Sequence, residues 1–205
     1  MFPDLISSIK KGTQRISIIT NSLKSFSRDD PAKKTLIRIE ESLDTAVTIC
    51  GSHFKNVAEV ITDVQESLPE MMGNSQQMEQ VFTNLIVNAC DAIKEKIEKL
   101  NLDRNKFTGE IVISLRHRKE EGGQIEIHIQ DNGSGMKKEV EEKIFTPFFT
   151  TKPPAKGTGL GMSIVYGIIK DHDGRITCKS NINKGTEFTI VFPAASGKTS
   201  QENCS

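Results

Sequence analysis

A stripe of short amide and acid side chains runs through residues 80–93, in a segment with helical hydrophobic periodicity. The polar stripe consists of Gln80, Asn84, Asn88 and Asp91, and the neighbouring apolar stripe consists of Val81, Leu85, Ala89, Ala92 and Ile93. Polar residues often form only the solvent-exposed face of a helix, and this alternative stays open. Asparagine is a poor residue for a helix interior, however, and its carbonyl oxygen is a good neutral ligand for Mg²⁺. The stripe is therefore a candidate metal site.

A second chemical feature is the segment DNGSGM, residues 131–136, which directly follows an alternating strand pattern. One interpretation is a tight turn, which Asp-Asn-Gly forms readily. The other is a binding site in which the Asp131 carboxylate accepts a hydrogen bond from a ligand amine. Gly133 and Gly135 would then keep the wall flat against a planar ring.

Three alternating glycines, at 157, 159 and 161, stand at the start of a helical pattern whose apolar face begins at Leu160. They indicate either a turn or an anion site, because open backbone N–H groups at a helix N-terminus bind phosphate. No strand precedes them, which argues against a dinucleotide-binding fold. The letters SGKT at 196–199 lack the first glycine of a P-loop.

An aromatic segment, residues 144–156, lies between these two glycine-bearing motifs and contains Phe145, Phe148 and Phe149. Three phenylalanines in one irregular segment are not expected to be wholly exposed, so we expect them to anchor a loop that covers the site. Lys152 and Lys156 should then lie near whatever the glycines bind.

Hydrophobic periodicity predicts the elements that position these groups. Helices are predicted over residues 5–26, 40–53 and about 75–100, with a further helix after the glycines. Strands are predicted at 57–64, 111–117, 125–130, 175–180 and 186–192, with a turn near residues 69–73 and a loop at 101–109. Successive strands joined by short turns favour an α+β fold, a two-layer α/β sandwich whose mixed, mostly antiparallel sheet carries its helices on one face.

Composition sets further limits on the 205-residue chain. Its 27 basic and 27 acidic residues cancel, which argues against nucleic acid or an anionic membrane as the main partner. The four cysteines have no metal-binding spacing and suggest reduced thiols. Because we see neither a signal peptide nor a membrane span, we expect a cytoplasmic location.

In their order along the chain, the amide-rich helix, Asp131-x-Gly133-x-Gly135, the aromatic segment, the glycines and Gly185-Thr186 resemble the ATP-binding domain of sensor histidine kinases. That domain belongs to the gyrase, Hsp90, histidine kinase and MutL superfamily and has the Bergerat fold. The resemblance covers about residues 31–193. Residues 1–30 look like the second helix of an incomplete dimerisation and phosphoacceptor hairpin, and 194–205 are expected to be a disordered tail.

The resemblance implies ATP and Mg²⁺ as ligands and assigns roles by motif. Asn88 would bind the metal, with Asn84 beside it as the second catalytic residue. Asp131 would read the adenine amine, with Thr186 close by through water. Asp91 stands where many of these kinases have a lysine. The implied nucleotide-binding residues are Asn88, Asp91, Asp131, Gly133, Gly135, Met136, Phe145, Lys152, Lys156, Gly157, Thr158, Gly159, Leu160, Gly161 and Thr186.

The family also implies partners: a phosphoacceptor histidine helix, a response regulator receiver domain and a second copy of the full-length kinase. None of the four histidines, at 53, 117, 128 and 172, carries the phosphoacceptor signature. We expect all four at surface or sheet positions. The chain is therefore expected to be the catalytic portion of a longer kinase, and whether that parent is membrane-anchored stays open.

Asn84 distinguishes the competing functions. By the same resemblance, the superfamily's ATPases and serine-directed kinases carry a glutamate general base four residues before the metal asparagine. An amide cannot accept a proton usefully near neutral pH, whereas neutral imidazole is already a nucleophile. Asn84 therefore favours transfer to histidine. An ATPase or serine kinase, or a nucleotide-binding regulator without catalysis, is the alternative.

Overall fold

The computed structural model describes residues 33–103, 106–119, 123–153 and 157–195. The helix predicted for residues 5–26, the loop lysine at 156 and the tail beyond residue 195 lie outside the described residues. The predictions made for those parts of the chain therefore stay predictions.

Five strands form the main sheet, in the order β2-β4-β5-β7-β6. Strand β2 pairs parallel to β4, and the other three pairings are antiparallel. The strands are β2 Ala58–Val64, β4 Gly109–Arg118, β5 Gln124–Asp131, β6 Arg175–Asn181 and β7 Gly185–Pro193. The prediction of a mixed, mostly antiparallel sheet is confirmed.

The helices lie on one face of this sheet, as predicted. They are α1 Ile39–Phe54, α2 Ser75–Lys99, the short α3 Lys138–Glu141 and α4 Gly161–Asp171. Strands β4, β5 and β7 alternate buried and more exposed positions, so their apolar side chains form one face of the core. Apolar side chains of α1, α2 and α4 form the other face of this single hydrophobic core. The result is a two-layer sandwich.

Helix α2 carries the whole polar stripe and begins at a defined cap. The side chain of Asn74 accepts a hydrogen bond from the backbone N–H of Gln77, 3.0 Å away. This satisfies one of the free donors at the helix N-terminus. Buried residues at three- and four-residue spacing then fix the helix on the sheet and on α1 and α4, which orients the neighbouring polar stripe.

A second, two-stranded sheet was missed in the sequence. Strand β1 Thr35–Ile37 pairs antiparallel with β3 Met71–Gly73, where only a turn was predicted. Each strand has three residues, too few to show an alternation pattern.

The expectation that every histidine lies at a surface or sheet position is wrong for His172, which is buried at the end of α4. Its Nδ1 lies 2.7 Å from the carbonyl oxygen of Ile168, and its Nε2 accepts the backbone N–H of Asn74 at 3.1 Å. The neutral ring thus links the end of α4 to the cap of α2.

Within the described ranges, no helix is both long enough and apolar enough to cross a membrane.

Candidate functional site

A cavity of about 360 Å³ opens between α2, the loop after β5 and the start of α4. Side chains from four separate parts of the sequence line it, because the sheet brings the end of β5 and the start of β7 together under α2. The sequence-predicted lining residues are Asn84, Asn88, Asp91, Asp131, Gly135, Met136, Lys152, Gly157, Thr158, Gly159, Gly161 and Thr186.

The amide stripe, by which we mean Asn84, Asn88 and Asp91, lines the cavity along α2. Asn88 uses both ends of its amide. Its Oδ1 accepts from the Lys152 ammonium at 3.1 Å, and its Nδ2 lies 3.1 Å from the sulfur of Met162. The Lys152 ammonium also pairs with Asp91 Oδ2 at 2.7 Å. The stripe is thus a polar wall, not a free solvent face.

Asp131 ends β5 at the far side of the cavity, with 6% of its surface exposed. Burial raises the pKa of its carboxyl from 3.8 to about 6, although backbone N–H groups of Gly133 and Thr186 and the Lys96 ammonium act in the opposite direction. Gly133 donates to Oδ1 at 2.8 Å. A buried carboxylate with unused acceptor capacity is suited to an amine donor on a ligand.

A hydroxyl network lies beside Asp131. Thr186 is paired with Asp131 across β5 and β7, and its hydroxyl lies 3.0 Å from that of Ser180. The Ser180 hydroxyl also accepts the backbone N–H of Met136 at 2.8 Å. Ser180 therefore fixes two lining residues at once. It was not singled out in the sequence, where a serine in a strand gives no signal.

The glycine loop, residues 157–161, forms the opposite wall with its backbone. Gly159 has φ +69°, and a Cβ there would lie 2.4 Å from the carbonyl carbon of Phe148, so only glycine fits. A Cβ on Gly161 would lie 3.6 Å from Oδ1 of Asn84. The mouth of α4 and the amide stripe therefore face each other at close range.

The aromatic segment divides its three rings between different surroundings. Phe149 lines the cavity, whereas Phe148 is 70% exposed, contrary to the expectation of a covered ring. Phe145, expected at the nucleotide, is not among the lining residues and packs instead on the ring of Tyr166, with centroids 5.4 Å apart. Its ring belongs to the contact with α4, and this corrects the expectation.

Two other residues that were expected at the nucleotide, Gly133 and Leu160, do not line the cavity but support residues that do. Gly133 donates its N–H to Asp131, and buried Leu160 precedes α4 and donates its N–H to the hydroxyl of Thr158 at 3.3 Å. Lys156 lies outside the described residues.

Several lining residues were not predicted. They are mainly apolar or small: Val87, Ala89, Ala92, Ser134, Val140, Ile144, Phe149, Thr150, Thr151, Met162 and Phe188. Val140 carries only a weak signal, since its helix has four residues, and Ile144 lies in the turns that follow this helix. Phe149 could have been chosen over Phe145, but side-chain direction in an irregular segment does not follow from its spacing.

The cavity is chemically divided. Its Asp131 end has an acceptor and apolar walls, and its α4 end has amide groups, a lysine and the glycine loop that leads into the N-terminus of α4. This arrangement suits a planar, amine-bearing ring at one end and an anion at the other. Fold and site together define a nucleotide-binding α/β sandwich.

Residues 73–196 match the family described as Histidine kinase-, DNA gyrase B-, and HSP90-like ATPase. The chain therefore belongs to this family, which confirms the resemblance read from its motifs and gives ATP as its nucleotide. The sensor kinase CckA of Brucella abortus (strain 2308) is 35% identical over 94% of this chain and 20% of its own length. The sensory histidine kinase/phosphatase NtrB of Rhizobium leguminosarum bv. phaseoli is 30% identical over 89% of this chain and 47% of its own length.

The chain thus spans a fifth to about half of the length of these relatives. Among solved structures, the catalytic domain of histidine kinase ThkA is 26% identical and superposes with a TM-score of 0.62 over 78% of this chain and 95% of its own. Full-length ShkA, in complex with AMPPNP, has a TM-score of 0.71 at 18% identity over 95% of this chain and 39% of its own, a likeness of fold. The chain corresponds to the catalytic domain of sensor histidine kinases.

Proposed function

We propose that the cavity binds Mg²⁺–ATP, with the adenine at Asp131 and the triphosphate between the amide stripe and the glycine loop. The observation that carries this proposal is that both walls line one cavity of about 360 Å³, and that they meet at its edge, where a Cβ on Gly161 would lie 3.6 Å from Asn84 Oδ1. Phosphate oxygens in this cavity would meet the N-terminus of α4 on one side and amide groups on the other.

Asn88 is the proposed ligand for Mg²⁺. Its Oδ1 already accepts a hydrogen bond from a cationic group, the ammonium of Lys152, so this oxygen faces positive charge. In the described part of the chain no cluster of three or more His, Cys, Asp or Glu side chains could hold a metal. Mg²⁺ commonly takes one or two protein oxygens and completes its shell with phosphates and water, which fits Asn88. Bound there, the metal would neutralise phosphate charge.

Transfer of the γ-phosphate to a histidine is the reaction we propose. A water or serine acceptor needs a general base, and the lining carboxylates that the structure describes are Asp91 and Asp131. Asp91 is engaged by Lys152, and Asp131 lies at the proposed adenine end. An imidazole nitrogen would form the new bond to phosphorus as the bond to the leaving ADP oxygen breaks, without a base.

The histidine acceptor, in this proposal, lies on a helix of the full-length kinase, and the phosphate passes onward to a receiver domain. The sensor kinase relatives support these partners. We further propose that the full-length kinase is a homodimer. Use of ATP as donor supports a reaction in the cytoplasm. Nucleic acid is not a proposed partner.

Calorimetry tests the nucleotide proposal. Mg²⁺–ATP should bind the native chain, and Asn88→Ala should weaken binding by about tenfold or more, because a metal ligand is lost. Gln80→Ala is the matched control, since Gln80 belongs to the same polar face of α2 without lining the cavity. Equal heats for native protein and Asn88→Ala would count against the proposal.

A labelling experiment tests the reaction. With [γ-³²P]ATP, the chain alone should stay unlabelled, and a longer version that contains the upstream helix should gain acid-labile phosphate. Acid-labile label on a histidine of the chain itself would contradict the assignment of the acceptor.

A further inference from the structure

An ion pair inside the cavity joins Lys152 to Asp91, with the ammonium 2.7 Å from Oδ2 and 3.1 Å from Asn88 Oδ1. About a third of each charged side chain is exposed, 36% for Lys152 and 39% for Asp91. The pair therefore stands at the solvent-open part of the cavity, next to the oxygen proposed for Mg²⁺.

The backbone of Lys152 is fixed against the glycine loop. Its N–H donates to the hydroxyl of Thr150 at 3.1 Å. A Cβ on Gly157 would lie 2.5 Å from that hydroxyl oxygen and 3.0 Å from Cβ of Lys152. The backbone of Lys152 thus lies next to the glycine loop, and its side chain extends across the cavity to the amide stripe.

We propose that Asp91 is a positioning residue that holds the Lys152 ammonium in the cavity for contact with the phosphates of ATP. This inference rests on the proposed function. Lysine is a flexible side chain that loses rotamer freedom when it binds. Asp91 and Asn88 restrict it beforehand. With Mg²⁺ on Asn88 Oδ1, the ammonium keeps Asp91 and exchanges the Asn88 oxygen for a phosphate oxygen.

Because Asp91 is negatively charged, a positioning role and simple repulsion predict opposite changes in ATP affinity when it is replaced. A carboxylate repels a neighbouring polyphosphate. If repulsion were the only effect of Asp91, its removal would tighten ATP binding. If Asp91 acts by positioning Lys152, its removal weakens ATP binding instead. The two effects separate when Lys152 is absent, because only the repulsion then remains.

The experiment measures the dissociation constant of Mg²⁺–ATP for native protein, Asp91→Asn, Lys152→Met and the double variant. Asp91→Asn should weaken binding about two- to fivefold, the range expected for a partly exposed charge pair. In the Lys152→Met background, Asp91→Asn should leave binding unchanged or tighten it. Asp91→Glu keeps the negative charge, so its affinity for Mg²⁺–ATP should lie between that of Asp91→Asn and that of native protein.

Asp63→Asn is the matched control, because Asp63 also pairs with a basic residue, Arg116, but does not line the cavity. It should leave Mg²⁺–ATP binding unchanged. Tighter binding by Asp91→Asn alone, or equal weakening with and without Lys152, would overturn the inference. Failure of the native protein to bind Mg²⁺–ATP would instead overturn the proposed function itself.

Discussion

The amide nitrogen of Asn88 lies 3.1 Å from the sulfur of Met162, so the polar stripe of α2 contacts the first turn of α4. Two elements 74 positions apart in sequence thereby form opposite walls of one cavity. This contact orients the Asn88 amide so that its oxygen points to Lys152. The residue that we propose as the Mg²⁺ ligand and the helix that follows the proposed phosphate-binding loop are therefore in contact.

The pH dependence of nucleotide binding should report Asp131. Its carboxyl must be ionised to accept from the adenine amine, and burial raises its pKa to about 6. Affinity for Mg²⁺–ADP should therefore fall below pH 6, by about tenfold for each further unit. Inorganic tripolyphosphate, which has no amine for Asp131, is the control ligand. A similar decline for tripolyphosphate would contradict this role for Asp131.

The same group should lower stability at neutral pH. Because the folded pKa of Asp131, about 6, exceeds its ordinary value of 3.8, the folded state binds the extra proton between these values. The contribution of Asp131 to the free energy of unfolding therefore falls as pH rises through this window, by about 2–3 kcal/mol. Denaturant unfolding of native protein and Asp131→Asn at pH 4 and pH 7 measures it. A constant difference between the two proteins would refute the prediction.

The contribution of His172 to stability should depend on pH in the opposite direction to that of Asp131. Burial lowers its pKa below 6.5, so the folded state favours the neutral ring. This contribution is present above pH 6.5 and is lost as pH falls toward the lowered folded pKa, because the unfolded state then binds more protons. From pH 7.5 to pH 5.5 the melting temperature of native protein should therefore decline relative to that of His172→Gln, a comparison in which the opposite contribution of Asp131 is common to both proteins. His53→Gln, at an exposed position, should behave like native protein.

Gly159 and Gly167 should respond oppositely to substitution by alanine. Gly159 has φ +69° and no room for a Cβ, whereas Gly167 lies inside α4 with no atom within 4 Å of a Cβ. Gly159→Ala should distort the glycine loop and weaken Mg²⁺–ATP binding. Gly167→Ala should raise stability by about 0.5–1 kcal/mol and leave binding unchanged. Thermal unfolding and calorimetry check both, and undisturbed nucleotide binding by Gly159→Ala would count against the loop's role.

The parts of the site that the sequence revealed are those whose residue types are unusual for their positions. Asparagines inside a helix, an aspartate at a strand end and glycines before a helix each allow a functional explanation beside a purely structural one. Their order along the chain then indicated the family. The main strands and helices followed from alternation and helical spacing, because each is long enough to repeat its period.

The parts that the sequence did not reveal depend on contacts between distant positions. The pairing of Lys152 with Asp91 spans 61 residues, and the hydrogen bond from Asn74 to His172 spans 98. Neither leaves a local pattern. The hydroxyl of Ser180 is ordinary in a strand, and its role depends on the register that places Thr186 opposite it. Such features follow from tertiary structure, and sequence spacing alone does not predict them.

An NMR titration with Mg²⁺–AMPPNP would test where the nucleotide lies. The backbone amide signals of Gly157, Gly159 and Gly161 and the side-chain amide of Asn88 should all shift together. Ser114 and Thr189, on the opposite face of the sheet from the buried core, should not. Shifts confined to the opposite face, or at the glycines without any change at Asn88, would contradict a single site between the amide stripe and the glycine loop.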